Sequence, residues 1–71
     1  MGKSINDYSK SELENLINEW VIGKNSQRNK RIIKDRLIKG LMIAELAHKY
    51  HMSQTRIKTV IRTFRHKVEG A

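Results

Sequence analysis

Apolar side chains recur at intervals of three and four residues in four segments of this chain, separated by short polar or glycine-containing stretches. This spacing places apolar residues on one face of a helix, whereas a half-buried strand would alternate with a period of two. Gly23 and Gly40 each follow an apolar segment, where a glycine in the left-handed conformation typically ends a helix. The pattern predicts an all-α fold, a small four-helix domain formed by residues 1–71.

The first helix is predicted to begin at Ser9 and to run to about Ile22. Glu12 lies three residues after Ser9, so each side chain can accept a hydrogen bond from the other residue's backbone amide in a capping box. An aromatic residue in an apolar stripe usually packs in the core, so we assign Trp20 to packing rather than to ligand stacking. Residues 1–8 are predicted to be flexible. The predicted stripe consists of Leu13, Leu16, Ile17, Trp20 and Val21.

The second helix is predicted to extend from Ser26 or Gln27 to Lys39, after a polar link. Asp35 precedes Lys39 by four residues, which allows an ion pair worth about 0.2–0.5 kcal/mol. The predicted buried face comprises Ile32, Ile33 and Leu37, with Asn29 as a further candidate. The predicted outer face carries Arg28, Lys30, Arg31 and Lys34.

The third helix is predicted to be short, from about Met42 to Tyr50, and the fourth to run from an N-cap at Ser53 to about Lys67. Met42 occupies the position where Ser, Thr or Asp would normally accept hydrogen bonds from the free amides of the first turn. A Met42→Thr substitution is therefore expected to stabilise the fold. The predicted buried residues are Leu41, Leu46, Ala47 and Tyr50 in the third helix and Ile57, Val60, Ile61, Phe64 and Val68 in the fourth.

The charge of the chain is unevenly distributed. The formal net charge is +8. Residues 1–23 carry two lysines against four carboxylates, a net charge of −2, and the remaining residues carry thirteen Lys and Arg against three carboxylates, a net charge of +10. Such a concentration of positive charge indicates a polyanionic partner.

Several functional classes are not expected. The chain has no cysteine, which excludes disulfides and thiolate zinc sites. His48 and His51 lie three residues apart, but only Glu45 is near enough in sequence to complete a metal site. A chain of 71 residues can hardly form the pocket of an enzyme, so no catalysis, cofactor or small-molecule substrate is expected. The chain lacks an apolar run of about 20 residues and a signal-like opening, so we expect a cytoplasmic protein without membrane contact.

Residues 44–62, with the sequence AELAHKYHMSQTRIKTVIR, have the pattern of a helix-turn-helix. Ala47 is small where two helices would approach each other, the residues YHMS can form a short turn, and Ser53 can cap the second helix. Ile57 and Val60 would pack that second helix against the first. We place the helix-turn-helix at about residues 42–67, with an outer face on the second helix that has no carboxylate before Glu69.

The segment RIIKDRLIKGLMIAELAHKYHMSQTRIKTVIRTFR resembles region 4 of bacterial sigma factors, the domain that reads the −35 element, especially its small stand-alone forms in phages and mobile elements. The resemblance covers about residues 28–65. It implies an all-helical fold, DNA binding through the helix that begins at Ser53, and a possible contact with RNA polymerase. Two positions depart from the family pattern: His51 replaces the usual turn glycine, at a cost of about 1–2 kcal/mol for a positive φ, and Met42 replaces the capping Ser or Thr.

Transferred to this chain, the resemblance implies base-reading positions at Gln54, Thr55, Lys58 and Thr59. Together with the distribution of positive charge, it predicts phosphate contacts by Arg28, Arg31, Lys49, Arg56, Arg62 and Arg65. The sequence thus predicts sequence-specific binding of double-stranded DNA by a transcription regulator. The same residues could instead form an ordinary solvated helix face.

The principal alternative is a small helical protein-interaction module, an adaptor for RNA polymerase or a phage protein that reads no DNA itself. Exposure of Trp20, Ile22 or Ile38 would favour that function or a homodimer. RNA binding ranks lower, because the chain lacks paired exposed aromatic residues for stacking on unpaired bases. The number of copies that bind together is left open by the sequence.

Overall fold

The computed structural model describes residues 4–70, and all of their regular structure is helical. A short 3-10 helix at Ile5–Asp7 precedes four α-helices. These are α1 at Lys10–Trp20, α2 at Ser26–Leu37, α3 at Ile43–Lys49 and α4 at Gln54–Glu69. The predicted all-α class and the four helices are confirmed. None of the helices within residues 4–70 combines the length and apolar character that a bilayer crossing requires.

The predicted starts of α1 and α4 are confirmed by hydrogen bonds. The Ser9 hydroxyl accepts from the Glu12 amide at 3.2 Å, and the Ser9 amide donates to the Glu12 carboxylate at 3.0 Å, which completes the capping box. At the start of α4, the Ser53 hydroxyl accepts from the Arg56 amide at 3.2 Å. Both helices therefore begin where a local side-chain acceptor satisfies an otherwise free backbone amide.

Helices α1 and α2 both end two residues earlier than predicted. Their last residues are Trp20 and Leu37, rather than Ile22 and Lys39. The left-handed glycine predicted after each helix is present, with φ of +91° at Gly23 and +78° at Gly40. The chain leaves the helical conformation before it reaches each glycine, and the glycine then reverses its direction, which few side chains with a Cβ tolerate.

The core consists of two adjoining groups of buried apolar side chains. Helices α2 and α4 contribute to both groups, because each helix is apolar on a broad face, and Val60 packs against both. The terminal cluster comprises Ile5, Leu13, Ile17, Val21, Ile33, Phe64 and Val68. The corner cluster, beneath the connection between α3 and α4, comprises Ile32, Leu46, Ile57 and Ile61.

The flexibility predicted for residues 1–8 stays a prediction, and the described part of that segment contacts the core. Residues 1–3 of that stretch lie outside the described residues. In the remainder, the side chain of Ile5 is only 2% exposed and belongs to the terminal cluster. The Ile5 amide also donates to the Glu69 carboxylate at 2.8 Å. Burial of an isoleucine side chain contributes about 1.5–3 kcal/mol, which offsets the entropy lost when a short segment is ordered.

Candidate nucleic-acid interface

The α3–α4 corner, residues 50–53, turns the chain between the two helices. Its backbone is closed by the Met52 amide, which donates to the Ala47 carbonyl at 3.0 Å, and by a longer bond of 3.4 Å from the His51 amide to the His48 carbonyl. His51 has a φ of +55°, so the positive φ expected where the family has glycine is confirmed. His51 therefore adopts a left-handed conformation, which a histidine tolerates less well than a glycine.

The start of α3 has a side-chain oxygen acceptor on one side only. Met42 occupies the N-cap position in an extended conformation, as predicted, and offers no oxygen to the free amides of the helix. The Glu45 carboxylate accepts from the Met42 amide at 3.0 Å, which is one half of a capping box. In the other half, the Met42 side chain offers the Glu45 amide only its thioether sulfur, which is a weak acceptor, so one substitution would place a hydroxyl there.

The four predicted base-reading residues lie on exposed positions in the first two turns of α4. Gln54, Thr55, Lys58 and Thr59 are all exposed. The Thr59 hydroxyl donates to the Thr55 carbonyl at 2.9 Å, and the next hydroxyl along the helix, that of Thr63, donates to the Thr59 carbonyl at 2.8 Å. A hydroxyl has one donor and two lone pairs, so Thr59 retains acceptors for a ligand while its donor is used within the helix.

Four cationic side chains line one cleft along the flank of α4, beside the first residue of α3. The carbonyl of Leu41 accepts from Arg36 Nη1 at 2.9 Å, which fixes this guanidinium at the edge of the cleft. Sequence reasoning did not include Arg36 among the candidate residues. We call this surface the α4 basic cleft; its cations are Arg36, Lys58, Arg62 and Arg65.

A second cationic surface lies between α2 and the C-terminal end of α3. The ring of Tyr50 and the carboxylate of Asp35 lie among its cations. An adjoining depression is lined by Gln27, Arg28, Arg31 and Tyr50, so Arg31 and Tyr50 connect the two. We call this surface the α2–α3 basic cleft; its cations are Arg31, Lys34, Lys39 and Lys49.

The predicted phosphate-contacting residues are thereby divided among different parts of the surface. Arg62 and Arg65 line the α4 basic cleft, and Arg31 and Lys49 line the α2–α3 basic cleft. The remaining two are Arg28, in the depression that adjoins the second cleft, and Arg56, which is exposed on α4. The guanidinium of Arg28 is 3.4 Å from the side-chain oxygen of Asn29, a distance typical of a weak hydrogen bond.

Asp35 is a buried acid that links α2 to the end of α3. Only 4% of its surface is exposed, and its Oδ2 atom accepts from Lys49 Nζ at 2.8 Å and from the Tyr50 hydroxyl at 2.6 Å. The pair with Lys39 predicted from the four-residue spacing is present, but at 3.6 Å and with a largely exposed ammonium. The dominant partners of Asp35 are therefore the two residues that sequence reasoning did not connect with it.

The ionisation of these three groups is coupled through the shared carboxylate. Burial opposes ionisation of Asp35, but the hydrogen bonds from Lys49 and Tyr50 and the charges of Lys49 and Lys39 outweigh it, so the pKa of the Asp35 carboxyl lies below its ordinary value. The hydrogen bond to Asp35 raises the pKa of Lys49. Burial, followed by the hydrogen bond to Asp35, raises the pKa of Tyr50. At neutral pH the site holds a carboxylate, an ammonium and a neutral phenol.

The sequence contains one signal that could have identified the burial of Asp35. It lies three residues after Ile32, and residues three apart share a face of a helix. No comparable pattern predicts the hydrogen-bond partners of Asp35, because Lys49 and Tyr50 are 14 and 15 residues away along the chain. Lys49 was predicted to contact phosphate; in the structure one of its three donors already serves Asp35, which leaves two for an external anion.

Comparisons with known proteins return no relatives. No protein-family model, no curated protein and no solved structure matches this chain. The resemblance to sigma factor region 4 therefore depends only on the residues quoted for it.

Proposed function

We propose that the protein binds double-stranded DNA in a sequence-specific manner through α4. The observation that carries this proposal is the composition of the exposed face of α4, which presents cations, hydroxyls and an amide with no carboxylate before Glu69. A solvated helix face in an ordinary protein usually mixes both signs of charge. A face with donors and cations alone matches the acceptors of base edges and phosphates.

In this proposal α3, the α3–α4 corner and α4 act as a helix-turn-helix. The first two turns of α4 enter the major groove, which is about 12 Å wide and admits one helix. Bases are read by Gln54, Thr55, Lys58 and Thr59, with Thr59 as an acceptor. Phosphates are bound by Arg28, Arg31, Lys49, Arg56, Arg62 and Arg65, and the position of Arg36 in the α4 basic cleft adds a further candidate.

The resemblance to sigma factor region 4 supports a more specific role, that of a transcription regulator of the small phage or mobile-element type acting in the cytoplasm. Contact with RNA polymerase belongs to the same proposal, since the family domain works at promoters. The resemblance is to region 4 alone, and the proposed role is regulation of transcription with a partner or as a simple DNA-bound regulator.

The decisive experiment is the affinity for mixed-sequence duplex DNA, measured as a function of salt concentration. The six proposed phosphate contacts predict a slope of about −5 for log K against log salt concentration, because each contact releases condensed counterions. An absence of measurable duplex binding at low salt would falsify the DNA-binding proposal.

Two substitutions separate phosphate binding from base reading. Arg62→Ala is expected to weaken binding to all sequences and to reduce the magnitude of the salt slope by about one. Gln54→Ala is expected to reduce discrimination between sequences by about 1–3 kcal/mol while the protein remains folded. Lys10→Ala is the matched control, since Lys10 is an exposed cation on α1, and it should leave both quantities unchanged.

The second candidate function is a protein-interaction module, an adaptor for RNA polymerase or a phage protein. It is favoured by Ile22, a large apolar side chain with 73% of its surface exposed. Binding of such a partner with unchanged affinity by the Gln54→Ala and Arg62→Ala variants, together with no duplex binding, would favour this function over DNA binding.

A further inference from the structure

An apolar surface patch lies at the C-terminal end of α1, where it meets the last turns of α4. Within residues 4–70, Ile22 and Met42 are the exposed large hydrophobic side chains, and Ile22 lies beside the half-buried ring of Trp20. Together with Glu19 and Lys67 these two side chains line one depression. We call this surface the Trp20–Ile22 patch, comprising Glu19, Trp20, Ile22 and Lys67.

The patch borders a cavity of about 170 Å³ between α1, α2 and α4. The apolar part of the cavity wall is formed by Trp20, Val21, Ile22, Ile33, Val60 and Phe64. The polar part of the wall is formed by Asn29, Thr59, Thr63 and Lys67. A partly apolar cavity beside an exposed isoleucine exposes to water a surface that soluble monomers usually bury. The cavity is large enough to receive an aliphatic side chain from outside.

The charges of the patch make it complementary to itself. Glu19 and Lys67 both border the apolar centre, and within the described residues neither side chain takes part in the ion pairs of Asp35 with Lys39 and Lys49. The Lys67 ammonium is 3.5 Å from the Trp20 carbonyl, a long contact that leaves it available. In a two-fold arrangement, Glu19 of each copy can face Lys67 of the other.

The same complementarity holds for the helices as a whole. Helix α1 carries one lysine against three carboxylates, a net charge of −2, whereas α4 carries five Lys and Arg against one carboxylate, a net charge of +4. A contact that places α1 of one copy beside the end of α4 of another therefore joins opposite charges. Because α1 is negatively charged, this contact also reduces the repulsion between two copies of a positively charged chain.

We propose that the Trp20–Ile22 patch is the interface of a symmetric homodimer, in which Ile22 of each copy covers the cavity of the other and Glu19 pairs with Lys67 across the two-fold axis. Association through this patch does not depend on DNA binding. Gln54, Thr55 and Lys58 line neither the patch nor the cavity and remain exposed in such a dimer, whereas Thr59 lines the cavity and would be covered. Base reading by the dimer would therefore use Gln54, Thr55 and Lys58, and two α4 helices would be presented by one particle.

Charge reversal tests the proposal by sedimentation equilibrium over about three decades of protein concentration. Glu19→Lys and Lys67→Glu should each weaken self-association by about tenfold or more, because each creates like charges across the axis. An equimolar mixture of the two variants should recover association close to that of the unmodified protein, since every facing pair in the mixed dimer is then of opposite sign.

Ile22→Lys and Met42→Lys provide a matched pair of substitutions of exposed apolar residues. Ile22→Lys should abolish self-association, and Met42→Lys should leave it unchanged, with helical content by circular dichroism confirming that both fold. A mass that stays at the monomer value at every concentration would overturn the proposal. Failure of the mixed charge variants to associate would also overturn it, as would equal effects of the two lysine substitutions. Binding of a different protein to the patch, while the chain stays monomeric, would overturn it as well.

Discussion

The corner cluster and the terminal cluster are assembled from the same kinds of aliphatic side chain but differ in what surrounds them. The terminal cluster is joined to α1, whose start has a complete capping box between Ser9 and Glu12. The corner cluster is surrounded by three locally unfavourable features: an apolar N-cap at Met42, a left-handed His51 and a buried carboxylate at Asp35. The less favourable local structure is concentrated beside the proposed DNA-binding helix.

This difference indicates how the stability of the chain is distributed. The terminal cluster combines favourable local interactions with burial, so its elements agree with their own sequence preferences. The α3–α4 corner depends more strongly on tertiary contacts, above all on Leu46 and on the Asp35 hydrogen bonds. Natural proteins often place such locally unfavourable residues near functional sites.

The largest expected effect is that of truncating Leu46 in the corner cluster. Leu46→Ala should reduce the free energy of unfolding by about 4 kcal/mol, because the side chain is 0% exposed and its removal leaves a cavity. Leu13→Ala is the matched substitution in the terminal cluster, at a side chain that is 6% exposed, and about 3 kcal/mol is expected. Urea unfolding measures both values.

Duplex affinity at a temperature where both leucine variants are folded sharpens the comparison. The Leu46 variant should lose affinity and the Leu13 variant should keep it, because Leu46 packs beneath the α3–α4 corner. Equal affinities would contradict the assignment of the corner cluster as the support of the proposed DNA-binding helix.

Asp35→Asn should reduce the free energy of unfolding by about 2 kcal/mol, since it removes the charged acceptor of Lys49 and Tyr50 while conserving shape. Asp7→Asn is the control, because Asp7 is an exposed carboxylate on the 3-10 helix, and a change within about 0.5 kcal/mol is expected. A loss at Asp35 no larger than that at Asp7 would mean that the buried hydrogen bonds contribute no net stability.

The same network predicts the pH dependence of stability. Because the pKa of Asp35 is lowered in the folded protein, its contribution is present above the ordinary aspartate pKa of about 4 and is lost as the pH falls through the folded value. The pKa values of Lys49 and Tyr50 are raised, so their contributions are present below about pH 10 and are lost as the pH rises further. Thermal unfolding of Asp35→Asn across pH should show a smaller decline in acid than the unmodified protein.

Met42→Thr should increase the free energy of unfolding by about 1 kcal/mol. The hydroxyl would accept from the amide of Glu45 in place of the weakly accepting thioether, and the Glu45 carboxylate already accepts from the amide of residue 42. Little burial is lost, because Met42 is 64% exposed. Met42→Ala removes the same side chain without supplying an acceptor, so a melting temperature equal for the two variants would argue against the capping explanation.

The smallest expected effect is that of His51→Gly, a gain of up to about 1 kcal/mol. Glycine adopts a φ of +55° without the steric strain that His51 has there, and the greater entropy of the unfolded glycine variant offsets part of that gain. Asn25→Gly is the matched substitution at the N-cap of α2, where φ is +65°, and a smaller gain is expected because Asn tolerates this conformation better. A larger gain at Asn25 would mean that the left-handed backbone is less strained in the α3–α4 corner than at the start of α2.

Much of the fold could be predicted because it depends on local spacing. The capping box at Ser9, the N-cap at Ser53 and the left-handed backbone at Gly23, Gly40 and His51 all follow from residues within a few positions of each other. The apolar stripes follow from the period of the helix. The ends of the helices were predicted less accurately, because a helix can leave its regular conformation one or two residues before the glycine that reverses the chain.

The candidate site was predicted only in part. The exposed positions on α4 follow from the stripe on its opposite face, so Gln54, Thr55, Lys58 and Thr59 could be assigned to the surface from sequence. The position of Arg36 in the α4 basic cleft could not, because that cleft is formed where three helices meet. Its members come from different segments of the chain, and no short-range pattern relates them.

The sequence by itself determined the all-α class, the starts of the helices and the apolar face that each helix buries, because these depend on a helical period and on contacts within one turn. Only the tertiary structure decided that Asp35 is buried against Lys49 and Tyr50, that Ile5 joins the core beside Glu69, and that Ile22 remains exposed. The physical reason is distance along the chain. Contacts between residues 14 to 64 positions apart depend on how the helices pack, and local propensities carry no information about that packing.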